Sequence, residues 1–134
     1  MAEVKRVGIL TGGGDAPGLN GVIRAVTMKC IEDYGHEVVG LKRGWKSLLS
    51  PEEDTVMPLG LGDVRYILQE GGTILLSSRT NPYKNEGDPE KVVKQLEEFG
   101  VDALVAIGGD DTLGVANKLA GEGLMVVGVP KTTP

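Results

Sequence analysis

The sequence predicts an α/β fold in which helices cover both faces of a mainly parallel sheet. Three observations predict it. Short apolar runs alternate with helical patterns along the chain, the clearest runs read as buried strands, and glycine clusters stand where a run gives way to a helical pattern.

Val7 to Leu10 is an apolar run of strand length that ends in glycines. Beyond it, Leu19, Val22, Ile23, Val26, Cys30 and Ile31 are spaced for one face of a helix, and Gly35 supplies a left-handed stop. Val38 to Leu41 reads as a second strand. Lys42 to Gly62 is less regular, broken by Pro51, Pro58, Gly60 and Gly62. Asp63 can cap a short helix running through Glu70, with Gly71 and Gly72 ending it. Thr73 to Leu76 is a third strand candidate.

Asp88, Pro89 and Glu90 form a helix start: a capping carboxylate, a proline in the first turn, then an acid near the positive end of the dipole. Val92, Val93, Leu96 and Phe99 give this helix its apolar face, and Gly100 closes it. Ala103 to Ile107 and Leu124 to Val129 are the clearest buried strands, joined by a helix from about Thr112 to Ala120. Ligands of such sheets lie at the carboxyl ends of strands. Three residue groups stand at such ends: Thr11 to Asn20, Gly108 to Thr112 and Pro130 to Pro134.

The 134 residues suffice for one domain with a packed core, and no internal repeat or linker divides them. A net charge of -5 argues against nucleic acid, whose binding rests on Lys and Arg, but leaves a small phosphate ligand open. The 21 glycines fall in short clusters, as turns and phosphate loops do. Cys30 alone excludes an internal disulfide, and its apolar stripe favours a buried thiol over a nucleophile. Met1 to Arg6 is polar, the run after it is short, and nothing reaches the length of a membrane span. A reducing cytoplasm is the expected location.

The stretch Thr11-Gly-Gly-Gly-Asp-Ala-Pro-Gly-Leu-Asn20 follows a strand and opens a helix. Such glycines let the backbone approach a ligand, and a helix start aims N–H groups at it, so an anion is the expected guest. A tight turn without a ligand would also use glycine, though seldom so much of it. The spacing matches neither the Gly-Lys-Ser/Thr phosphate loop nor the dinucleotide fingerprint.

Gly108-Gly-Asp-Asp-Thr112 repeats the logic, with Asp110 a hard oxygen ligand suited to Mg²⁺. Asp111 beside it should repel a polyphosphate unless metal intervenes. Helix capping by Asp111 or Thr112 is the plainer alternative and can coexist with metal binding. Arg79 at a strand exit can grip a phosphate with its planar fork, and Lys131 after a buried strand could neutralise a transferred phosphoryl group. Either residue alone would be an ordinary surface charge. His36 has no second histidine to share a metal, Trp45 reads as the anchor of an irregular segment, and the Lys84 to Lys94 charges read as a solvated face.

Taken in order, four stretches resemble the phosphofructokinase family. They are Gly8 to Asn20, Gly71-Gly-Thr73 leading to Ser78-Arg79, Asp102 to Thr112, and Val127-Gly-Val-Pro-Lys-Thr132. The resemblance covers essentially the whole chain. It implies a Rossmann-like, doubly wound sheet of the phosphofructokinase large-domain type, truncated, with residues 1–134 as its incomplete phosphate-donor part.

The activity implied is phosphoryl transfer to the 1-hydroxyl of fructose 6-phosphate with Mg²⁺, in a full-length form that is a homo-oligomer. By motif matching, Gly14, Arg79, Thr80, Gly109, Asp110, Asp111 and Thr112 would bind the donor, Asp110 would hold the metal, and Asp111, Lys131 and Thr132 would be catalytic. ATP-using members typically carry glycine where this chain has Asp111, and often where it has Lys131, so the resemblance favours pyrophosphate as donor. An ATP-dependent enzyme is the first alternative, and a non-catalytic phosphate- or nucleotide-binding module the second. NAD and lipid kinases carry similar Gly-Gly-Asp loops but fit the Thr11 to Asn20 loop and Pro130-Lys-Thr132 less well.

The family pattern after Lys131-Thr132 continues Ile-Asp-Asn-Asp, and its first aspartate is the general base. Here Thr133-Pro134 follows, and proline cannot accept a proton. The expectation is therefore a fragment with negligible turnover of its own.

Overall fold

The computed structural model describes residues 4–13, 19–65, 67, 73–78 and 80–130. Among the described residues five strands make one sheet in the order β3-β2-β1-β4-β5. They are β1 (Arg6–Thr11), β2 (Glu37–Leu41), β3 (Val56–Pro58), β4 (Ala103–Gly108) and β5 (Val126–Pro130). The β1–β2, β1–β4 and β4–β5 pairs are parallel, and β2–β3 is antiparallel. The chain works outward from β1 to one edge, returns, and works outward to the other. Its direction therefore reverses between β1 and β4, the kind of crevice in which open α/β sheets hold ligands.

Alternation along the strands feeds two cores. Leu10, Val39, Leu41, Leu104 and Ala106 face one side, where Trp45 and Leu48 of α2 (Trp45–Leu49), Val92 and Leu96 of α4 (Asp88–Glu98), and Val115, Ala116 and Leu119 of α5 (Asp110–Gly121) pack on them. Ile9, Val38 and Ile107 face the other, against Leu19 and Ile23 of α1 (Leu19–Tyr34) and Val64 of α3 (Leu61–Val64). The double covering expected from the sequence is thus present. Trp45 is 1% exposed and anchors its segment, as the sequence suggested.

Helix ends follow local chemistry. Gly35 turns left-handed (φ 66°) after α1, and Gly100 (φ 71°) after α4. The expected cap at Asp88 is displaced by one residue: left-handed Gly87 is the N-cap, and Asp88 is the first helical residue. Asp63 likewise lies inside α3, where its carboxylate accepts the Gly60 N–H at 2.6 Å. α3 ends at Val64 with Arg65 as its C-cap, short of the expected run to Glu70; Tyr66, Leu68 to Glu70 and the Gly71-Gly72 stop lie outside the described residues.

Three expectations are corrected. Thr73 to Leu76 is not a strand: it turns, with Leu76 left-handed (φ 57°). The third strand is instead β3, inside the segment that looked irregular, where three residues are too few to show alternation. Leu124 to Val129 holds a strand, but not a buried one. β5 is the last in the order, and Val127 is 58% exposed and Met125 49%. An apolar run cannot reveal whether a strand is central or at an edge, because that depends on what pairs beyond it.

Cys30 is half-buried on α1, and burial pushes its thiol up, away from nucleophilic character. His36 stacks on Tyr34 with ring centroids 5.5 Å apart. Among the described residues no helix is long and apolar enough to cross a membrane.

Candidate functional site

The exits of β1, β4 and β5 stand side by side at one end of the sheet. Thr11 pairs with Ile107, and Gly108 with Pro130, so the strands finish in near register. The Gly12 N–H donates to the Ile107 carbonyl at 2.9 Å, carrying the pairing one residue past β1. At the β4 exit Gly109 is the N-cap of α5, and Asp110 and Asp111, both exposed, occupy its first turn. Among the described residues no side chain caps this helix; Asp111 and Thr112, proposed as caps, lie inside it, and it begins two residues before Thr112. Acids are favoured in this turn because the unpaired N–H groups there carry partial positive charge.

Thr112 turns inward and is 4% exposed. A β-carbon on Gly108 would lie 2.7 Å from Thr112 Cβ, and one on Gly12 would collide with its hydroxyl. Glycine is required at these two positions by close approach: the β1 and β4 exits meet over a single threonine.

Behind the β1 exit lies a hydrogen-bonded brace. The Thr11 hydroxyl donates to the Leu76 carbonyl at 2.9 Å. A hydroxyl has one proton, so at the 3.1 Å contact between Thr11 Oγ1 and Thr73 Oγ1 the donor is Thr73. Thr73 Oγ1 accepts in turn from the Leu75 N–H at 3.1 Å. Gly13, left-handed at φ 82°, donates its N–H to Ser78 at 3.0 Å, and its carbonyl accepts the Ser77 hydroxyl at 2.7 Å. Buried Asn20 accepts the Ile74 N–H at 2.8 Å, tying the start of α1 to the same segment. The left-handed Leu76 costs roughly 1–2 kcal/mol for an L-residue, and these bonds hold it in place.

The residues expected to act thus separate into groups. Gly109, Asp110, Asp111 and Thr112 gather at the β4 exit beside Gly12. Thr80 is half-buried two residues beyond Ser78, next to Asn81, whose carboxamide oxygen accepts the Tyr83 N–H at 2.8 Å in the short 3-10 turn Pro82–Lys84. Tyr83 fastens that turn to α5, donating to Glu122 at 3.1 Å while Lys118 lies 4.8 Å above its ring. Burial, together with Glu122, pushes the Tyr83 phenol up to about 12. Gly14, Arg79, Lys131 and Thr132 lie outside the described residues. Ser77, and the bond from Thr11 to the Leu76 carbonyl, were missed by sequence reasoning. The serine pair before Arg79 was the available signal, but nothing local shows which carbonyl a hydroxyl meets.

Magnesium takes one or two carboxylates and completes its octahedron with water and substrate oxygens. Two exposed carboxylates in the first turn of α5 fit that demand. Among the described residues no three His, Cys, Asp or Glu side chains form an all-protein cage.

Comparison with known proteins finds relatives across nearly the whole chain. The phosphofructokinase family model matches residues 6–133. A pyrophosphate–fructose 6-phosphate 1-phosphotransferase of Amycolatopsis methanolica is 62% identical over 127 residues, covering 95% of this chain and 36% of the relative. An ATP-dependent 6-phosphofructokinase of Aquifex aeolicus is 52% identical over 128 residues, covering 95% of this chain and 39% of the relative. Among solved structures, a Pichia pastoris phosphofructokinase in the T-state superposes with a TM-score of 0.86 at 30% identity, covering 98% of this chain and 16% of that one. The chain therefore spans little more than a third of the curated relatives it matches. With a sheet that reverses between β1 and β4, glycine-lined exits meeting at that reversal, and a family match over nearly every residue, the chain belongs to the phosphofructokinase family.

Proposed function

We propose that this chain carries the phosphate-donor site of a pyrophosphate-dependent phosphotransferase acting on the 1-hydroxyl of fructose 6-phosphate. One observation carries the reading: Asp110 and Asp111 share the first turn of α5 at the strand exit that packs on Gly12. The glycines leave room for a diphosphate, and the carboxylates give its counter-ion a seat. Magnesium held by Asp110 would neutralise phosphate oxygens as charge shifts during transfer.

Each residue then has a task. Gly14 and Gly109 offer backbone N–H groups to phosphate oxygens, Arg79 grips one phosphate through its fork, and Thr80 and Thr112 complete the donor wall. Asp111 fills and charges the space a nucleoside would need, which selects the smaller donor. Lys131, with Thr132 beside it, stabilises the departing orthophosphate. The transferred phosphorus would exchange its bond to the bridging oxygen for one to the sugar 1-oxygen, whose proton would pass to a general base. Pro134, at the family's base position, cannot accept it. A full-length oligomer in a reducing cytoplasm would supply the setting.

The ATP reading is favoured by one finding, the Aquifex aeolicus relative at 52% identity. Calorimetric titration with pyrophosphate and with ATP, each with Mg²⁺, separates the two. Tighter binding of pyrophosphate is expected. Tighter ATP binding would reverse the donor assignment, and no binding of either would remove the site altogether.

A further inference from the structure

β5 is last in the sheet order, and among the described residues no strand pairs beyond it. Three observations mark this edge as a surface shaped to be covered. Natural edge strands are blunted by charge or proline, yet Leu124 to Pro130 carries no charged residue and its one proline comes last. Parallel strands are ordinarily buried on both faces. Val127 is nevertheless 58% exposed, on the face where Val129 joins the Ile107 core. On the opposite face Leu113, Ala116, Ala120, Val126 and Gly128 line an open groove of about 240 Å³ between α5 and β5.

The phase of the ladder shows which backbone groups the edge offers. The Leu104 N–H donates to the Met125 carbonyl at 2.9 Å, and Leu104 is the register partner of Val126. In a parallel ladder the N–H and carbonyl of one residue point to the same side, and successive residues alternate. Met125, Val127 and Val129 therefore bond toward β4. The N–H groups of Val126 and Gly128, with the carbonyls of Val126, Gly128 and Pro130, point away from it.

We infer that the β5 edge and its groove are the docking surface for a second polypeptide, the length of a phosphofructokinase-family chain that follows the part matched here. A strand of that partner would take the outward groups of β5. Its apolar side chains would cover Val127 and fill the groove beside α5. The size of the relatives points to this occupant: the match takes up only 36% of the Amycolatopsis methanolica relative, so most of that chain is available to cover the edge. A second copy of this chain is the weaker occupant, because two bodies of net charge -5 repel one another. The inference goes beyond the donor-site reading and is independent of which donor is used.

The test follows amide exchange in this chain, alone and mixed with the separately produced remainder of the Amycolatopsis methanolica relative. Alone, Val126 and Gly128 should exchange about ten-fold faster than Val127 and Val129, whose N–H groups are bonded to β4. With the remainder present, Val126 and Gly128 should slow by about ten-fold or more. Val127→Lys puts a charge on an exposed side chain, so it should leave the melting temperature near wild type and weaken association about ten-fold. Tyr34→Lys, at an equally exposed position ending α1, should leave association unchanged.

Should the separate remainder not fold, it is joined after Pro130 of this chain, and the same amides are read in the fusion. Val126 and Gly128 that stay fast in the fusion overturn the inference. So does a Val127→Lys chain that associates as tightly as wild type. Protection of those two amides in the chain alone, rising with its concentration, would make a second copy the occupant and overturn it as well.

Discussion

Gly12 and Thr112 are a hundred residues apart in sequence and leave no room for a methyl group between them. A β-carbon on Gly12 would collide with Thr112 Oγ1 and lie 3.1 Å from Cγ2 and 3.2 Å from Cβ. Thr112 is buried in the first turn of α5, so it cannot swing outward into solvent. The contact fixes how closely the β1 turn approaches the helix that carries both acids.

Gly12→Ala should accordingly destabilise the chain by about 1–3 kcal/mol through overpacking. Thr112→Ala removes the colliding oxygen and leaves only the 3.2 Å approach, so the double variant should regain most of that loss. Urea denaturation of the two single variants and the double variant measures the coupling. Strict additivity would show that the two residues do not meet.

Asp110→Ala should abolish the magnesium dependence of pyrophosphate binding and leave the melting temperature within about 0.5 kcal/mol equivalent, as for an exposed side chain. Titrations with and without Mg²⁺ decide this. Retention of a full magnesium effect in the variant would place the metal elsewhere.

Asp111→Gly should weaken discrimination against ATP. The change removes a charge and opens space at the first turn of α5, and a ten-fold shift in the ratio of dissociation constants corresponds to about 1.4 kcal/mol. The ratio, rather than either constant, is the readout. An unmoved ratio removes Asp111 as a donor selector.

Asp102 gives a pH test independent of ligand. Its carboxylate accepts the Arg6 and Lys5 N–H groups, both at 2.9 Å, and these backbone bonds lower its pKa below 3.8. A carboxyl depressed in the folded state stabilises above its unfolded pKa, and that contribution is lost as pH falls through the folded value. The stability gap between wild type and Asp102→Ala should hold steady near neutrality and close below about pH 4. Thermal melts across that window will show it. A gap that persists in acid would mean the carboxylate's charge is irrelevant.

Trp45→Ala should cost about 3–5 kcal/mol, since a fully buried aromatic beside Leu48 and Leu41 leaves a cavity its neighbours cannot fill. Chemical denaturation is sufficient to see it. A loss under about 1 kcal/mol would mean the tryptophan is not packed as described.

Periodicity and punctuation alone were enough to read β1, α1, β2, α4, β4 and the placing of Asp110 beside a glycine pair at a strand exit. These are short-range properties: a helical stripe, a strand-length apolar run and a glycine stop are written within a dozen residues. Gly12 and Gly108 were also legible as points of close backbone approach, because that is what repeated glycine permits. The order of four such stretches was enough to recognise the family.

Tertiary structure decided the rest. It made β5 an edge, paired β3 antiparallel to β2, and turned the expected strand Thr73 to Leu76 into part of the brace behind Gly13. Each of these depends on partners distant along the chain, as Ser77 and Gly13 are separated by 64 positions. Local propensity sets what a segment can form. Only closure of the long loops between segments determines which hydroxyl reaches which carbonyl, because those contacts gain energy only after the chain has lost the entropy that kept them apart.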